Sequence, residues 1–292
     1  MKIYIGIPLW INNFQKKDPK TVVSELIDNN IEAVELSIDY PWPYKEYRLL
    51  KETLIELDRE NIEVNIHAPW RDLPFATPYD IIGDAVTKVI ISSIEPVLKL
   101  IKKQKTYIVI HPNTSQKINL FNNRSYTLFK LKNRVKELTS KLRNHDVIVL
   151  LENLNKGIAS NLNDLLETIH DIGHTGLCLD IGHLASNYFR EIAKTMYYES
   201  FYDYLNDVIS MIKSTIGEAY TIHLHDVDRE GRDHLVVGNG ILDFKKIYHE
   251  INKLEPKYII YETFRAKNKN LDLDQLITVF GAQRSWARIY LQ

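Results

Sequence analysis

The sequence lacks the cysteines that a disulfide would need. Its single cysteine, Cys178, excludes an internal disulfide and is typical of a reducing compartment. Because Cys178 lies within an apolar run, we interpret it as a small buried residue rather than a nucleophile. The chain also has no apolar run near the ~18 residues that a membrane span requires. We therefore expect a cytoplasmic protein that does not enter a membrane and whose N-terminal MKIYIGIPLW is a first strand.

An excess of charge of either sign is also missing. The 292 residues include 37 lysines and arginines against 38 aspartates and glutamates, for a net charge of −1. This balance does not favour a nucleic-acid partner, which usually binds a basic surface, although a neutral total would not reveal a local basic patch. The content of 45% hydrophobic and 26% charged residues is ordinary for a globular protein.

Pro/Gly/Ser-rich linkers and low-complexity tracts are absent, so we expect a single domain over residues 1–292. Short β-branched runs alternate with helix-periodic segments along the whole chain. The strand candidates are Lys2–Ile7, Glu32–Ser37, Ile62–His67, Thr106–His111, Val147–Glu152, Gly176–Asp180, Ala219–His225 and Lys257–Glu262. This alternation predicts an α/β fold with parallel strands, most simply a closed (β/α)8 TIM barrel. A doubly wound open sheet is the alternative.

Two connections are longer than a single crossover requires, namely the polar, asparagine-rich Pro112–Arg124 after the fourth strand and 187–217 after the sixth. The segment 187–217 follows the sixth strand, is helical in pattern and is rich in aromatic residues, namely Tyr197, Tyr198, Phe201, Tyr202 and Tyr204. We interpret it as a helical insertion. It either forms a lid or a subunit contact, which would allow a homodimer, or packs as a helix pair on the outside of the barrel.

Six consecutive strands end in histidine, aspartate or glutamate. The residues are His67, His111, Glu152, Asp180, His223 together with His225, and Glu262. The C-terminal ends of barrel strands open onto one face, where active sites form, so we expect these side chains to converge. Side-chain alternation agrees, because Ile148 and Leu150 share a strand face with Glu152.

Carboxylates crowded at one rim repel each other and lose hydration, and a bound cation would offset both effects. Imidazole and carboxylate ligands without cysteine suit Zn²⁺, Mn²⁺, Co²⁺ or Fe²⁺. The stretch LCLDIGHL, Leu177–Leu184, therefore predicts that Asp180 binds a divalent metal and that His183 reaches the same site from the next segment.

These residues, in this order, resemble the xylose isomerase-like superfamily, which includes sugar isomerases, sugar epimerases and endonuclease IV. The resemblance runs from VELSID at Val34–Asp39 to IIYETF, which ends just after Glu262. The ketose 3-epimerase branch implies one divalent metal, Mn²⁺, Zn²⁺, Co²⁺ or Mg²⁺. The implied ligands are Glu152, Asp180, His223 and Glu262. The same branch implies substrate contacts from His183 and Arg229.

This resemblance implies a sugar isomerase or epimerase of carbohydrate metabolism. The metal would polarise a carbonyl, and Glu152 and Glu262 would move a proton between the two faces of an enediolate. Three tryptophans near the strand ends, Trp10, Trp42 and Trp70, would face the C–H side of the sugar, with ordinary packing as their alternative. Glu35 in the second strand would support the ligands.

The resemblance to endonuclease IV implies an alternative function, the zinc-dependent hydrolysis of abasic-site DNA with two or three metals. Its additional ligands match His67, His111, His183 and His234, which in the sugar enzyme would bind substrate or a second metal. Its ninth ligand falls on Arg232, and a guanidinium cannot ligate a cation. The loop GRDHLVVGNGILDF looks more like that of the sugar-isomerase members. We therefore favour the sugar enzyme with one metal per chain, two being the alternative, over the nuclease or a non-catalytic metal-binding barrel.

Overall fold

The computed structural model describes residues 2–10, 17–38, 47–101, 105–114, 120–266 and 269–291. Eight parallel strands close into a barrel in chain order, which confirms the predicted fold class. The strands are β1 (Tyr4–Trp10), β2 (Ala33–Ser37), β3 (Glu63–His67), β4 (Thr106–Ile110), β5 (Val147–Glu152), β6 (Thr175–Asp180), β7 (Thr221–Leu224) and β8 (Tyr258–Tyr261). Trp42 and Asp39 lie outside the described residues.

Helices surround the barrel. They are α1 (Pro19–Asp28), α2 (Tyr47–Arg59), α3 (Asp80–Leu98), α4 (Leu120–Leu142), α5 (Leu162–Ile169), α6 (Ile181–Asn187), α7 (Ala193–Thr195), α8 (Phe201–Thr215), α9 (Phe244–Asn252) and α10 (Leu273–Tyr290). The short strands β9 (Arg265–Ala266) and β10 (Lys269–Asn270) form a hairpin after β8. None of the described helices combines the length and apolar character that a membrane span requires.

Alternation along the strands divides the apolar residues into two layers. The larger layer packs between the strands and the surrounding helices. The smaller layer fills the inside of the barrel and includes Tyr107, Leu150, Cys178 and Tyr258, with Ile148 beside them. The predicted inward face of β5 is therefore confirmed. Residues two positions further along β5 and β6 must point into the mouth of the barrel, where Glu152 and Asp180 lie.

The first strand is longer than predicted. Its pairing with β2 continues to Trp10, opposite Ser37, whereas the apolar pattern suggested an end at Ile7. Pro8 does not interrupt this pairing, because a proline removes only one donor and the register continues on both sides of it. The extension places the Trp10 ring at the C-terminal rim, next to the site described below.

Segment 187–217 is mostly helical. It contains the end of α6, a π-helical turn at Tyr188–Ile192, α7 and α8. Tyr188 and Phe201 are buried, and their ring centroids lie 5.6 Å apart. Tyr197 is fully exposed, but most of the other aromatic residues pack against the barrel core. This packing agrees with the expectation of a helix pair on the outside of the barrel.

Candidate metal centre

Four predicted ligands meet at the C-terminal rim of the barrel. Glu152 and Asp180 end β5 and β6, His223 lies in β7, and Glu262 directly follows β8. One potential ligand atom from each of the four side chains lies within 4.8 Å of the others, and all four residues are buried. The side chains therefore form the cluster that the sequence predicts, although the strands that carry them are far apart along the chain.

The contacts within this cluster fit a cation. The Nδ1 atom of His223 faces three carboxylates, at 3.3 Å from Glu262, 3.8 Å from Glu152 and 4.0 Å from Asp180. Within the described part of the chain, Nδ1 of His223, both oxygens of Glu152 and Oε2 of Glu262 are buried without a hydrogen-bond partner. Buried polar atoms without partners are costly, and a divalent ion in the cluster would satisfy one such atom from each of His223, Glu152 and Glu262. These residues would be its ligands.

Glu35 fixes the tautomer of His223. The Nε2 atom of His223 lies 3.0 Å from Oε2 of Glu35, and the Tyr107 hydroxyl donates to the same oxygen at 2.7 Å. Because a carboxylate only accepts hydrogen bonds, Nε2 of His223 carries the proton and Nδ1 keeps its lone pair for a metal. Glu35 therefore lies where the sequence suggested a supporting residue.

A second group adjoins the first through Glu152. The Nε2 atoms of His67 and His111 lie 3.0 Å apart and 3.3 and 3.0 Å from Oε2 of Glu152. Nδ1 of His67 donates to the carbonyl of Ala68 at 3.1 Å, so Nε2 is the nitrogen that would bind a cation once it has lost its proton. These three residues could hold a second cation, with Glu152 bordering both positions.

Two further predicted histidines line the outer side of the cluster. Nδ1 of His183 lies 3.1 Å from Glu152 and 3.4 Å from Asp180. Nδ1 of His234 lies 3.0 Å from the carbonyl of Glu262, to which it donates, so its Nε2 is the nitrogen with a lone pair. The two rings are 5.3 Å apart. His183 and His234 are thus placed to contact either a substrate or an outer cation.

The loop before His234 differs from the expectation drawn from the sequence. Arg232 is exposed and forms an ion pair with Asp228, whereas the next residue, Asp233, lines the cavity and accepts a 2.6 Å hydrogen bond from Asn155. His234 has a left-handed backbone, φ 58°. In this loop the carboxylate that lines the cavity is therefore that of Asp233, which the motif of the nuclease does not point to because the matching position is Arg232.

The pKa shifts within the cluster show that its carboxylates stabilise positive charge on the neighbouring imidazoles. Burial would lower the pKa of His67 and His183, but close carboxylates outweigh it and raise these values to about 9 and about 10. Burial would raise the pKa of Glu262, yet His223 and His234 bring it to about 2. In the metal-free cluster, protonated imidazoles thus offset the charge of the acids. A bound divalent ion would take over this role and release protons.

A cavity of about 970 Å³ opens above the cluster. One wall consists of Trp70, which stacks on His111 with centroids 5.1 Å apart and carries the Arg71 guanidinium 4.4 Å above its ring. On the other wall, Phe264 stacks on His234 at 4.3 Å and contacts Trp10 at 4.7 Å. The cavity therefore combines a polar floor with aromatic walls.

Of the predicted substrate contacts, His183, Trp10 and Trp70 line this cavity. Arg229 is exposed in the turn after β7 and does not belong to the described residues that line it, so its role stays a prediction. Three other cations, Arg71, Lys156 and Arg265, are at the cavity instead. The sequence offered a weak signal for two of them, since Arg71 and Arg265 follow shortly after strand ends.

Together these features define a (β/α)8 barrel with a cluster of metal-type ligands at its C-terminal rim. The model of the xylose isomerase-like TIM barrel family matches residues 23–283, and the chain belongs to this family. An uncharacterized protein of Methanocaldococcus jannaschii is 22% identical over 251 residues, which cover 85% of this chain and 86% of that protein.

Solved structures share the fold over nearly the full length. A D-tagatose 3-epimerase-like protein superposes with a TM-score of 0.72 at 18% identity, covering 99% of this chain and 98% of the other. The D-psicose 3-epimerase of Clostridium cellulolyticum H10 gives 0.71 at 13% identity, covering 99% and 100%. At these identities the likeness establishes the fold.

Proposed function

We propose that this protein is a divalent-metal-dependent sugar isomerase or epimerase. The observation that carries the proposal is the convergence of Glu152, Asp180, His223 and Glu262 at the floor of a cavity with aromatic walls. The 3-epimerase names of the structures with the same fold support the same class of reaction. Sugars suit such a cavity because their C–H faces pack on rings while their hydroxyls need polar partners.

The reaction would be proton transfer next to a carbonyl. A bound divalent ion supplies Lewis acidity, which polarises a substrate carbonyl and acidifies the adjacent C–H. Glu152 would take up this proton to leave an enediolate, and Glu262 would deliver a proton gained from solvent to the other face. Glu152 would then release its proton to solvent. These acids extend from β5 and β8, on separate sides of the barrel mouth. General acid–base catalysis of this kind contributes ~10²–10⁴-fold to the rate.

Other residues would bind and orient the sugar. His183 and His234 are placed to hydrogen-bond its hydroxyls, and Trp10 and Trp70 to pack on its C–H face. Arg71 and Arg265, together with Lys156, lie at the same cavity, and their charge favours a substrate that also carries an anionic group such as a phosphate. Mn²⁺, Zn²⁺, Co²⁺ and Mg²⁺ are all compatible with nitrogen and oxygen ligands.

Hydrolysis of abasic-site DNA is the second candidate function. It is favoured by the group His67, His111 and Glu152, which could hold a second cation beside the first. Metal pairs of this kind activate water against phosphodiesters. The net charge of −1 counts against a DNA-binding surface. A cytoplasmic location and a homodimer stay predictions under either function.

Metal analysis of the purified protein separates the two candidates. One divalent ion per chain supports the sugar enzyme, whereas two or three zinc ions per chain support the nuclease. A paired assay would test epimerisation of a panel of free and phosphorylated ketoses against nicking of abasic-site DNA, each with and without chelator. Nicking without any turnover of ketoses would contradict the proposal, and so would ketose turnover that survives complete removal of metal.

A further inference from the structure

The fully buried His225 follows β7 and lies beside the cluster without a role in the proposed reaction. Its Nδ1 accepts a 2.8 Å hydrogen bond from the backbone N–H of His234. Its Nε2 lies 3.1 Å from Oδ1 and 3.2 Å from Oδ2 of Asp180. Both ring nitrogens are therefore engaged, one by a loop and the other by a predicted metal ligand.

The partners of His225 define its tautomer. A backbone N–H can only donate, so Nδ1 of His225 must carry a lone pair. The proton of the neutral ring then lies on Nε2 and points at the carboxylate of Asp180. A second proton on Nδ1 would face the N–H of His234 at 2.8 Å, which excludes the doubly protonated ring in this arrangement. In this arrangement both nitrogens of His225 are engaged, although its ring also lies within reach of a cation between His183 and His234.

Gly182 leaves room for the ring of His225 because it has no side chain. A Cβ atom at Gly182 would lie 1.9 Å from Cε1 and 2.0 Å from Nδ1 of His225, so a larger residue would displace the imidazole. The close approach explains the glycine between Asp180 and His183 in the sequence DIGHL. The ring of His225 is thus held between the first turn of α6 and the loop that ends at His234.

Asp180 is held on several sides. Its Oδ1 accepts a 2.6 Å hydrogen bond from the backbone N–H of His183, as the N-cap of α6. The side chain of Asn153 pairs with its backbone N–H and carbonyl, both at 2.8 Å. These contacts fix the backbone and one carboxylate oxygen, and Nε2 of His225 lies within hydrogen-bond distance of both carboxylate oxygens.

We infer that His225 is a positioning residue of the metal centre, an N–H donor that orients the carboxylate of Asp180 for metal binding. This inference rests on the proposed metal-dependent function. Donors that orient metal-binding carboxylates typically change metal affinity by ~10–100-fold when they are removed. The side chain of His225 contributes this donor through one atom, Nε2, and contributes packing and a loop contact through the rest of its ring.

Two substitutions separate these contributions. In H225Q, the amide nitrogen can occupy the place of Nε2 and donate to Asp180, while the acceptor for His234 is lost. In H225N, the amide oxygen can occupy the place of Nδ1 and accept from His234, while the donor to Asp180 is lost. Each protein would be freed of metal with chelator and titrated with Mn²⁺, with free Mn²⁺ followed by its electron paramagnetic resonance signal. The exposed His249 of α9 provides a matched control, H249N.

We expect H225N to bind Mn²⁺ ~10–100-fold more weakly than the wild type, and H225Q to stay within a few-fold of it. H249N should bind as the wild type does. Thermal unfolding of the metal-free proteins measures stability separately. If His225 acted only through packing, H225N and H225Q could both change stability, but their Mn²⁺ affinities would not differ according to which one keeps the donor to Asp180. If H225N does not fold, H225A provides the donor-free comparison, and it should bind Mn²⁺ ~10–100-fold more weakly than H225Q.

Wild-type affinity in H225N would overturn the inference, and so would a loss in H225Q as large as that in H225N. Failure of the metal centre that the proposed function requires has a different signature, because the wild-type protein would then bind no Mn²⁺ in the same titration. That result would remove the metal centre and the role of His225 together. If the wild type binds Mn²⁺ and H225N binds it equally tightly, only the role of His225 is excluded.

Discussion

Glu35 accepts a hydrogen bond from His223, and replacing Glu35 should lower metal affinity while changing the stability of the metal-free protein little. Glu35 is fully buried in β2, and one oxygen, Oε2, accepts from both His223 and Tyr107. Its other oxygen has no hydrogen-bond partner among the residues that the structure describes. In Glu35→Gln, the single carbonyl oxygen can take the place of Oε2, so both contacts can persist while the negative charge disappears.

We expect Glu35→Gln to lower the affinity for the metal. A neutral amide makes His223 a poorer ligand than a carboxylate does, and changes of this kind reduce metal affinity ~10–100-fold, or about 1.4–2.8 kcal/mol. The free energy of unfolding of the metal-free protein should change by less than about 1 kcal/mol. The lost ion pair with His223 is offset because a buried charge no longer has to be desolvated.

Mn²⁺ titration and urea unfolding of the metal-free protein measure the two quantities separately. Tyr107→Phe is the matched control, because it removes the other donor to Glu35 and leaves the contact with His223 in place. It should retain Mn²⁺ affinity within a few-fold. Wild-type Mn²⁺ affinity in Glu35→Gln would refute the reasoning. A fall in affinity that merely follows a fall in stability would do the same.

Three further predictions address the acids, the glycine and the effect of pH. Glu152→Gln and Glu262→Gln should each lower ketose turnover by ~10²–10⁴-fold with an unchanged circular dichroism spectrum, and wild-type turnover in either would exclude the two-acid mechanism. Gly182→Ala should weaken Mn²⁺ binding, measured by titration, because the added Cβ would lie 1.9 Å from Cε1 of His225; unchanged affinity would show that the ring can move without consequence. In the metal-free protein the pKa of His183 is about 10, raised from 6.5 because Asp180 and Glu152 outweigh burial. Its bound proton therefore stabilises the metal-free fold fully below pH 6.5, and this stability is lost as the pH rises through about 10. The melting temperature with chelator present should fall across that window, and a rise would contradict the assignment.

The fold and the convergence of Glu152, Asp180, His223 and Glu262 at one rim could be predicted because both follow from local periodicity. The role of these four residues as metal ligands rests on the family resemblance and stays a prediction. A strand that ends in Glu152 or Asp180 after alternating apolar residues has only one face that can point into a barrel. The register of parallel pairing then brings such ends to one rim, as Asp180 opposite His223 demonstrates. Neither step requires knowledge of distant contacts, so a single sequence suffices for both.

Contacts that depend on barrel closure could not be predicted in the same way. Glu35 meets His223 from 188 positions away along the chain, and this pairing exists only once β1 and β8 are joined. The double contact of His225 likewise needs both the loop before His234 and the close approach to Gly182. Periodicity places a side chain on a face, but it does not identify the partner that lies on the opposite side of the barrel.

Loop geometry limited the remaining predictions. Asp226 organises the loop after β7, since its buried carboxylate accepts from the backbone N–H groups of Val227, Gly238, Gly240 and Leu242. His234 in the same loop has a left-handed backbone. In this loop Asp233 lines the cavity and Arg232 is exposed. Counting positions from a related motif cannot detect such a change, because a shift of one residue reverses the direction of a side chain.

Glu152 links the number of metals to the choice of reaction. Its Oε2 faces His67 and His111 on one side and His223 on the other, while its Oε1 faces His183. If a second cation occupied the group of His67 and His111, Glu152 would face a cation on both sides and could no longer accept a proton from a sugar. With a single cation at the central group, one oxygen of Glu152 would bind the ion and the other could accept the proton. The number of ions would then decide whether Glu152 can act as a base, so metal occupancy and sugar epimerisation must be measured on the same preparation.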